Sequence, residues 1–222
     1  MLLQRCINKT RLAGALLAIL VVAGCGGTGS TQPSSGSPQD DGRTGASAGG
    51  TGVAREIPPQ VQTLYEQATA VMAAGDFVDA ELRFKEFVLM YPDYPGAYVN
   101  LAIIHANNEN DEATREAVDA ALALDPGHPA ALNQMGMLLR RNGNFLEAEA
   151  AYMKAVTVSP DYALAHYNLG VLNELYLQRL EAALQHFETY QGIVGEDKQV
   201  EKWISDLTRR VAASQRTANV AE

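Results

Sequence analysis

Cysteine is nearly missing from this 222-residue chain: there are two, Cys6 and Cys25, and none follows residue 25. The remainder therefore cannot form a disulfide, a thiolate metal site or a cysteine nucleophile. Basic side chains are scarce as well, with 17 Lys and Arg against 26 Asp and Glu and a net charge of −9. Three of the basic residues, Arg5, Lys9 and Arg11, sit at the N-terminus; without them the balance is 14 against 26, or −12. Nucleic acid needs a basic face for its phosphates, so it is excluded as a partner. Tight docking on anionic lipid is disfavoured for the same reason, while basic segments of partner proteins remain permitted. Long apolar runs are also lacking. The longest spans residues 12–23, short of the roughly 20 residues that a membrane-crossing helix requires.

Constellations that carry chemistry are missing too. The four histidines, His105, His128, His166 and His186, include no pair at i, i+3 or i+4, and no Cys is left to complete a tetrahedral site. Residues 107–112 (Asn-Asn-Glu-Asn-Asp-Glu) offer oxygens to a hard cation but lack the Gly turn and the terminal bidentate Glu of a calcium loop. The Gly-rich stretch at residues 45–52 has no following Lys-Ser/Thr and no preceding strand, so it reads as tether and not as a phosphate loop. No nucleophile elbow or Ser–His–acid set stands in a recognisable context. The expectation is a non-enzyme without metal or cofactor.

What the N-terminus does contain is an address. Arg5, Lys9 and Arg11 precede the apolar run, which ends in Val22-Ala23-Gly24-Cys25. A basic stretch, a short apolar core and small residues before a cut describe a signal peptide over residues 1–24. The final four residues resemble a bacterial lipobox. That resemblance implies cleavage before Cys25, diacylation of its thiol and acylation of its new amine, giving palmitate-type anchoring that more than one acyl chain makes stable. Gly26 follows, not the Asp that resembles an inner-membrane retention signal. The implied location is the outer membrane of a diderm bacterium, facing the periplasm. Residues 25–57 then form a lipidated Cys and a Gly/Ser/Thr-rich tether, too poor in large apolar side chains to fold. As a flexible coil it would span about 30 Å.

The remainder of the chain is organised by repetition. Pro92, Pro126 and Pro160 are spaced 34 residues apart, and blocks 61–94, 95–128, 129–162 and 163–197 align at that period. One column holds Ala68, Ala102, Gly136 and Gly170. A second, larger column holds Phe84, Val118, Tyr152 and Phe187, the last in register if one residue is inserted near 176–180. Gly75 and Gly143 mark a mid-repeat turn, where the second block has Glu109 instead. Small residues recur where two helices must approach closely, bulky ones where a hairpin fills its neighbour's groove, and each Pro stops a helix. The period is that of a helical-hairpin solenoid.

These columns resemble the tetratricopeptide repeat family over residues 61–197. The fold expected is all-α: an α-solenoid of about four helical hairpins over residues 58–197, closed by a C-terminal capping helix within 198–222. In that last segment Val200, Trp203, Ile204, Leu207 and Val211 form one apolar stripe, suited to covering the exposed end of a solenoid. Trp203, the only tryptophan, is expected to be a packing anchor.

The resemblance also implies a binding groove built from the first helix of each repeat. Carrying its columns over residue by residue gives Tyr65, Glu66 and Thr69, then Val99, Asn100 and Ile103. The third block supplies Asn133, Gln134, Met137, Arg140 and Arg141, and the fourth Tyr167, Asn168 and Val171. Amides can pair with the backbone of an extended peptide, and Met adapts to varied apolar shapes. The family's paired Lys/Arg clamp for terminal carboxylates is absent apart from Arg140 and Arg141. The chain is similar in layout to lipoproteins that assist pilus secretin assembly or join outer-membrane β-barrel assembly machines. The function expected is a membrane-anchored periplasmic adaptor that holds a protein or peptide segment of an envelope complex. Alternatives are a non-catalytic regulator of peptidoglycan enzymes and an accessory of a Ton- or Tol-like energy-transducing complex.

Overall fold

A computed structural model describes residues 58–220, with side chains described as far as residue 216; the expected signal peptide, Cys25 and the expected tether lie outside the described residues. Among them are nine helices: α1 (Pro59–Ala73), α2 (Phe77–Met90), α3 (Pro95–Asn107), α4 (Asp111–Leu124), α5 (Pro129–Arg141), α6 (Phe145–Val158), α7 (Ala163–Leu175), α8 (Leu180–Val194) and α9 (Lys198–Val220). The all-α solenoid expected from the 34-residue period is what forms. Consecutive helices pair as hairpins, and each hairpin packs on the next.

The helix limits follow from local chemistry. Pro59, Pro95 and Pro129 occupy the first helical position of α1, α3 and α5, where a missing N–H costs nothing and the fixed φ suits the helix. The side chains of Asp76 and Asn110 accept hydrogen bonds from Asp79 N and Ala113 N, each at 3.1 Å, capping α2 and α4. Asn110 of the oxygen-rich run is thus a helix cap. Pro92, Pro126 and Pro160 each follow a C-cap residue, Tyr91, Asp125 and Ser159.

Within each hairpin the turn needs one left-handed residue. Gly75 (φ 84°) and Gly143 (φ 80°) supply it without strain, whereas Glu109 and Gln178 are both forced to φ 56°. The fourth turn, between α7 and α8, is one residue longer than the other three. That extra residue moves its left-handed position to 178, 35 residues after Gly143.

The core is assembled from the two columns. Ala68, Phe84, Ala102, Val118, Tyr152 and Phe187 are all fully buried. Where the small member is glycine, its partner ring lies on the backbone: a Cβ at Gly136 would stand 2.5 Å from Tyr152, and one at Gly170 would stand 2.7 Å from Phe187. At the far end α9 lies on α8 and buries Val200 and Leu207. Trp203 sits among aromatic neighbours, its ring 5.5 Å from that of Phe187 and 5.9 Å from that of Tyr167, which makes it the packing anchor expected. An Arg210–Glu174 ion pair at 2.7 Å ties α9 to α7.

Candidate partner-binding wall

Helices α3, α5 and α7 pack on one another as well as within their own hairpins, so first helices of successive repeats form a continuous wall. The candidate residues read from the sequence all fall on this wall or on α1. Tyr65, Asn100, Ile103, Gln134, Met137, Arg140, Tyr167 and Val171 are half-buried and present part of their surface to solvent. Val99, Asn133 and Asn168 do not; they are 4%, 1% and 6% exposed. These three lie inside the wall, a correction to the column transfer.

The physical reason is a bridge that recurs one repeat and one residue apart. Asn168 Nδ2 donates to Asn133 Oδ1 at 2.9 Å, and Asn100 Nδ2 donates to Tyr65 Oη at 2.9 Å. Both bonds span 35 residues and join adjacent first helices. Amides that looked free to hold a partner's backbone are therefore holding the neighbouring repeat. At the intervening step Val99 takes the inner place and packs with Ala121 and Ala131. Burial pushes the Tyr65 phenol upward in pKa, and the bond from Asn100 opposes that shift.

Around Arg140 the wall sinks into an open hollow of about 300 Å³, lined by Thr114, Gln134, Met137, Leu138, Arg140, Arg141, Tyr176 and Ala106. The two arginines differ. Arg141 pairs with Asp111 and also donates to the Ala106 carbonyl at 3.2 Å, so its charge is balanced within the protein. The Arg140 side chain makes no ion pair or hydrogen bond among the described residues, while its carbonyl accepts from Gly143 N at 3.1 Å. Tyr152, whose ring packs on Gly136 of α5, is fully buried, and its hydroxyl has no hydrogen-bond partner among the described residues. Burial pushes its pKa up to about 12, the charge of Arg140 pulls the other way, and Tyr176 adds a smaller upward push. The ring of Tyr176 lies 4.6 Å from that of Phe145. Tyr176 was not readable as a lining residue, because it stands in the lengthened turn.

The histidines are arranged differently from their sequence spacing. His166 and His186, on α7 and α8, face each other with Nδ1 atoms 3.2 Å apart, and His166 Nε2 lies 3.1 Å from the Pro160 carbonyl. Twenty residues separate them, so no helical spacing rule could show the pair. Burial lowers the pKa of His186, and His166 lowers it further. Among the described residues no three His, Cys, Asp or Glu side chains converge as a metal site.

Stacked hairpins with a continuous wall of first helices define a scaffold for protein interaction. Residues 65–129 and 133–198, more than half of the chain, match the tetratricopeptide repeat family, and the chain belongs to it. One similar protein is the Homo sapiens Protein O-mannosyl-transferase TMTC2, 39% identical over 62 residues, which are 28% of this chain and 7% of that protein. The chain thus spans a small fraction of that curated relative. Among solved structures, pilF of Pseudomonas aeruginosa superimposes with a TM-score of 0.62 at 19% identity, covering 69% of each chain. The first repeat domain of Spaghetti (RPAP3), solved bound to the HSP90 peptide SRMEEVD, gives 0.50 at 16% identity, covering 53% of this chain and 95% of that one. At such identities the structural likeness speaks for the fold alone.

Proposed function

We propose that this protein is a non-catalytic adaptor that holds an extended segment of a partner along the wall of α3, α5 and α7. The observation that carries this reading is the row of half-buried side chains Ile103, Gln134, Met137, Arg140 and Val171 on three helices that pack together. Apolar surface alternates there with hydrogen-bonding groups, the mixture that binds a peptide with both affinity and register. A related repeat domain, that of RPAP3, holds a short peptide.

The place of action proposed is the periplasmic face of the outer membrane, with the anchor at Cys25 and the partner within an envelope complex of the pilus/secretin or outer-membrane assembly type. What supports this is the sequence Val22-Ala23-Gly24-Cys25 at the end of a short apolar run, together with a thiol-free remainder.

One experiment addresses both parts. A photo-crosslinking residue is placed at Met137, on the wall, or at Leu89, which is 83% exposed on α2, in cells carrying the intact chain or its Cys25→Ser form. A discrete envelope protein captured from Met137 and not from Leu89 is the expected result. The Cys25→Ser product is expected to leave the outer-membrane fraction. Equal capture from both positions removes the wall as the binding face, and unchanged fractionation removes the anchor.

A further inference from the structure

Charge is segregated along this chain. Residues 58–197 carry 20 Asp and Glu against 7 Lys and Arg, whereas α9 carries 5 Lys and Arg against 2 Asp and Glu. Lys198, Lys202, Ser205 and Arg209 follow one another at i, i+4, i+7 and i+11, with Arg216 at i+18. That spacing sets them in line on one side of the helix, over about 27 Å. All five are exposed, while Val200, Leu207 and Val211 on the opposite side are buried. The first four line an open hollow of about 550 Å³ together with one carboxylate, Glu201. The neighbouring acids are engaged elsewhere. Asp197 accepts from the backbone N–H of Gln199 and Val200 at 2.9 and 3.2 Å, and Asp206 is held by Arg209 and Arg210 at 2.9 and 3.5 Å. Lys198, Lys202 and Arg216 make no ion pair among the described residues.

Such a face complements an anion, and the side chains between its cations indicate which kind. A protein interface needs an apolar or aromatic centre that excludes water. Here the intervening position is Ser205, and the large apolar residues of α9, Trp203 and Ile204, pack inward against the core. A headgroup surface needs charge alone, and each Lys or Arg brought to an anionic one strengthens binding about fivefold. The net charge of the whole chain disfavours lipid, but screening over about 8 Å at physiological salt confines the interaction to the helix that touches the surface. The hairpins behind α9 stand about a helix diameter, roughly 10 Å, further away. We propose that the outer face of α9 docks on an anionic phospholipid surface through Lys198, Lys202, Arg209 and Arg216. The presence of a membrane nearby rests on the reading of Cys25 as an anchor; the chemistry of the face does not. The last helix of the solenoid, and not only the expected tether before its first, then meets the membrane.

Vesicle pelleting tests the docking face. The chain from residue 26 onward keeps all nine described helices and carries no anchor, so the outcome is separate from those of the Cys25→Ser fractionation and the Met137 capture. Phosphatidylcholine vesicles with about one third phosphatidylglycerol, a negative surface, are expected to bind it at low salt, and phosphatidylcholine alone is not. Salt at about 1 M, where the screening length is about 3 Å, should release it. Lys198→Gln with Lys202→Gln should lower the partition about 25-fold at an unchanged melting temperature, and Lys198→Arg with Lys202→Arg should retain it. No cysteine follows residue 25, so Ser205→Cys or Leu89→Cys takes a single fluorophore. Spin-labelled headgroups are expected to quench the probe at 205 and not the probe at 89. Equal binding to both vesicles, no binding at millimolar anionic lipid, a partition that survives the double Gln change, or stronger quenching at 89 overturns the proposal. A capped peptide of alternating Glu and Ala is titrated in parallel. Binding of that peptide to α9, with the anionic vesicles left unbound, assigns the face to an acidic protein segment and overturns the lipid.

Discussion

Tyr152 of α6 lays its ring on the backbone of Gly136 in α5, so closely that a Cβ at position 136 would meet three ring carbons within 2.8 Å. The hairpin closes at that distance only because residue 136 has no side chain. The same relation holds between Gly170 and Phe187, which makes these two glycines packing elements and not turn elements.

The first prediction contrasts two helical glycines. Alanine normally stabilises a helix relative to glycine by about 1 kcal/mol. Gly192 in α8 has nothing within 4 Å of an added Cβ, so Gly192→Ala should raise the melting temperature. Gly136→Ala should lower it, since overpacking costs about 1–3 kcal/mol and both faces of the clash are rigid. Calorimetry on the two variants checks the sign, and a rise for both would mean that the α5–α6 contact is looser than it stands here.

Strain in the hairpin turns gives a second expectation. Glu109 and Gln178 sit at φ 56°, a region that costs a residue bearing a Cβ about 1 kcal/mol or more. Glycine removes that cost but makes the unfolded chain freer, which returns part of it. Glu109→Gly and Gln178→Gly should each stabilise by roughly 0.5 kcal/mol, measured as a higher denaturant midpoint at unchanged slope. Gly143→Ala, at φ 80°, should go the other way.

The buried amide bridge makes a third. An exposed Asn→Ala change usually stays within about 0.5 kcal/mol. Asn168 is buried and donates to Asn133, so Asn168→Ala leaves the Asn133 carbonyl oxygen buried without that donor, at a cost of about 1–3 kcal/mol. A denaturation curve matching that of the parent protein would place both amides back at the surface.

Titration of two histidines supplies the fourth. Burial lowers the pKa of both His128 and His186 in the folded protein, so the unfolded chain binds protons more readily. The stability they contribute is complete above the unfolded value of about 6.5 and is lost as pH falls from there through their lower folded values. The α7–α8 hairpin carries the His186 part, because His186 of α8 faces His166 of α7 with their Nδ1 atoms 3.2 Å apart. The denaturant midpoint should therefore decline over the interval in which pH falls from about 6.5 through the lowered folded values. His186→Gln should flatten that decline without abolishing it, since His128 still titrates. A midpoint independent of pH over that interval would contradict both assignments.

Taken by itself, the order of residues determined the repeat. Proline spacing, the small column and the bulky column each report a local requirement: a helix stop, a close approach, a filled groove. Such requirements recur at a fixed period, so one chain displays the two columns four times and the proline stop three times. The Trp203 stripe was legible for the same reason, as a helical periodicity that has to be covered. Which face a polar residue meets was decided only in the tertiary structure. Asn100, Asn133 and Asn168 look alike as wall residues, yet the displacement of one repeat against the next brings residues 35 apart into contact and draws Asn133 and Asn168 inward. The same displacement leaves Arg140 unpaired while Arg141, its neighbour in sequence, reaches Asp111. Columns specify which helix a side chain belongs to. The rotation and offset between stacked hairpins fix what it touches, and those depend on packing summed over every interface.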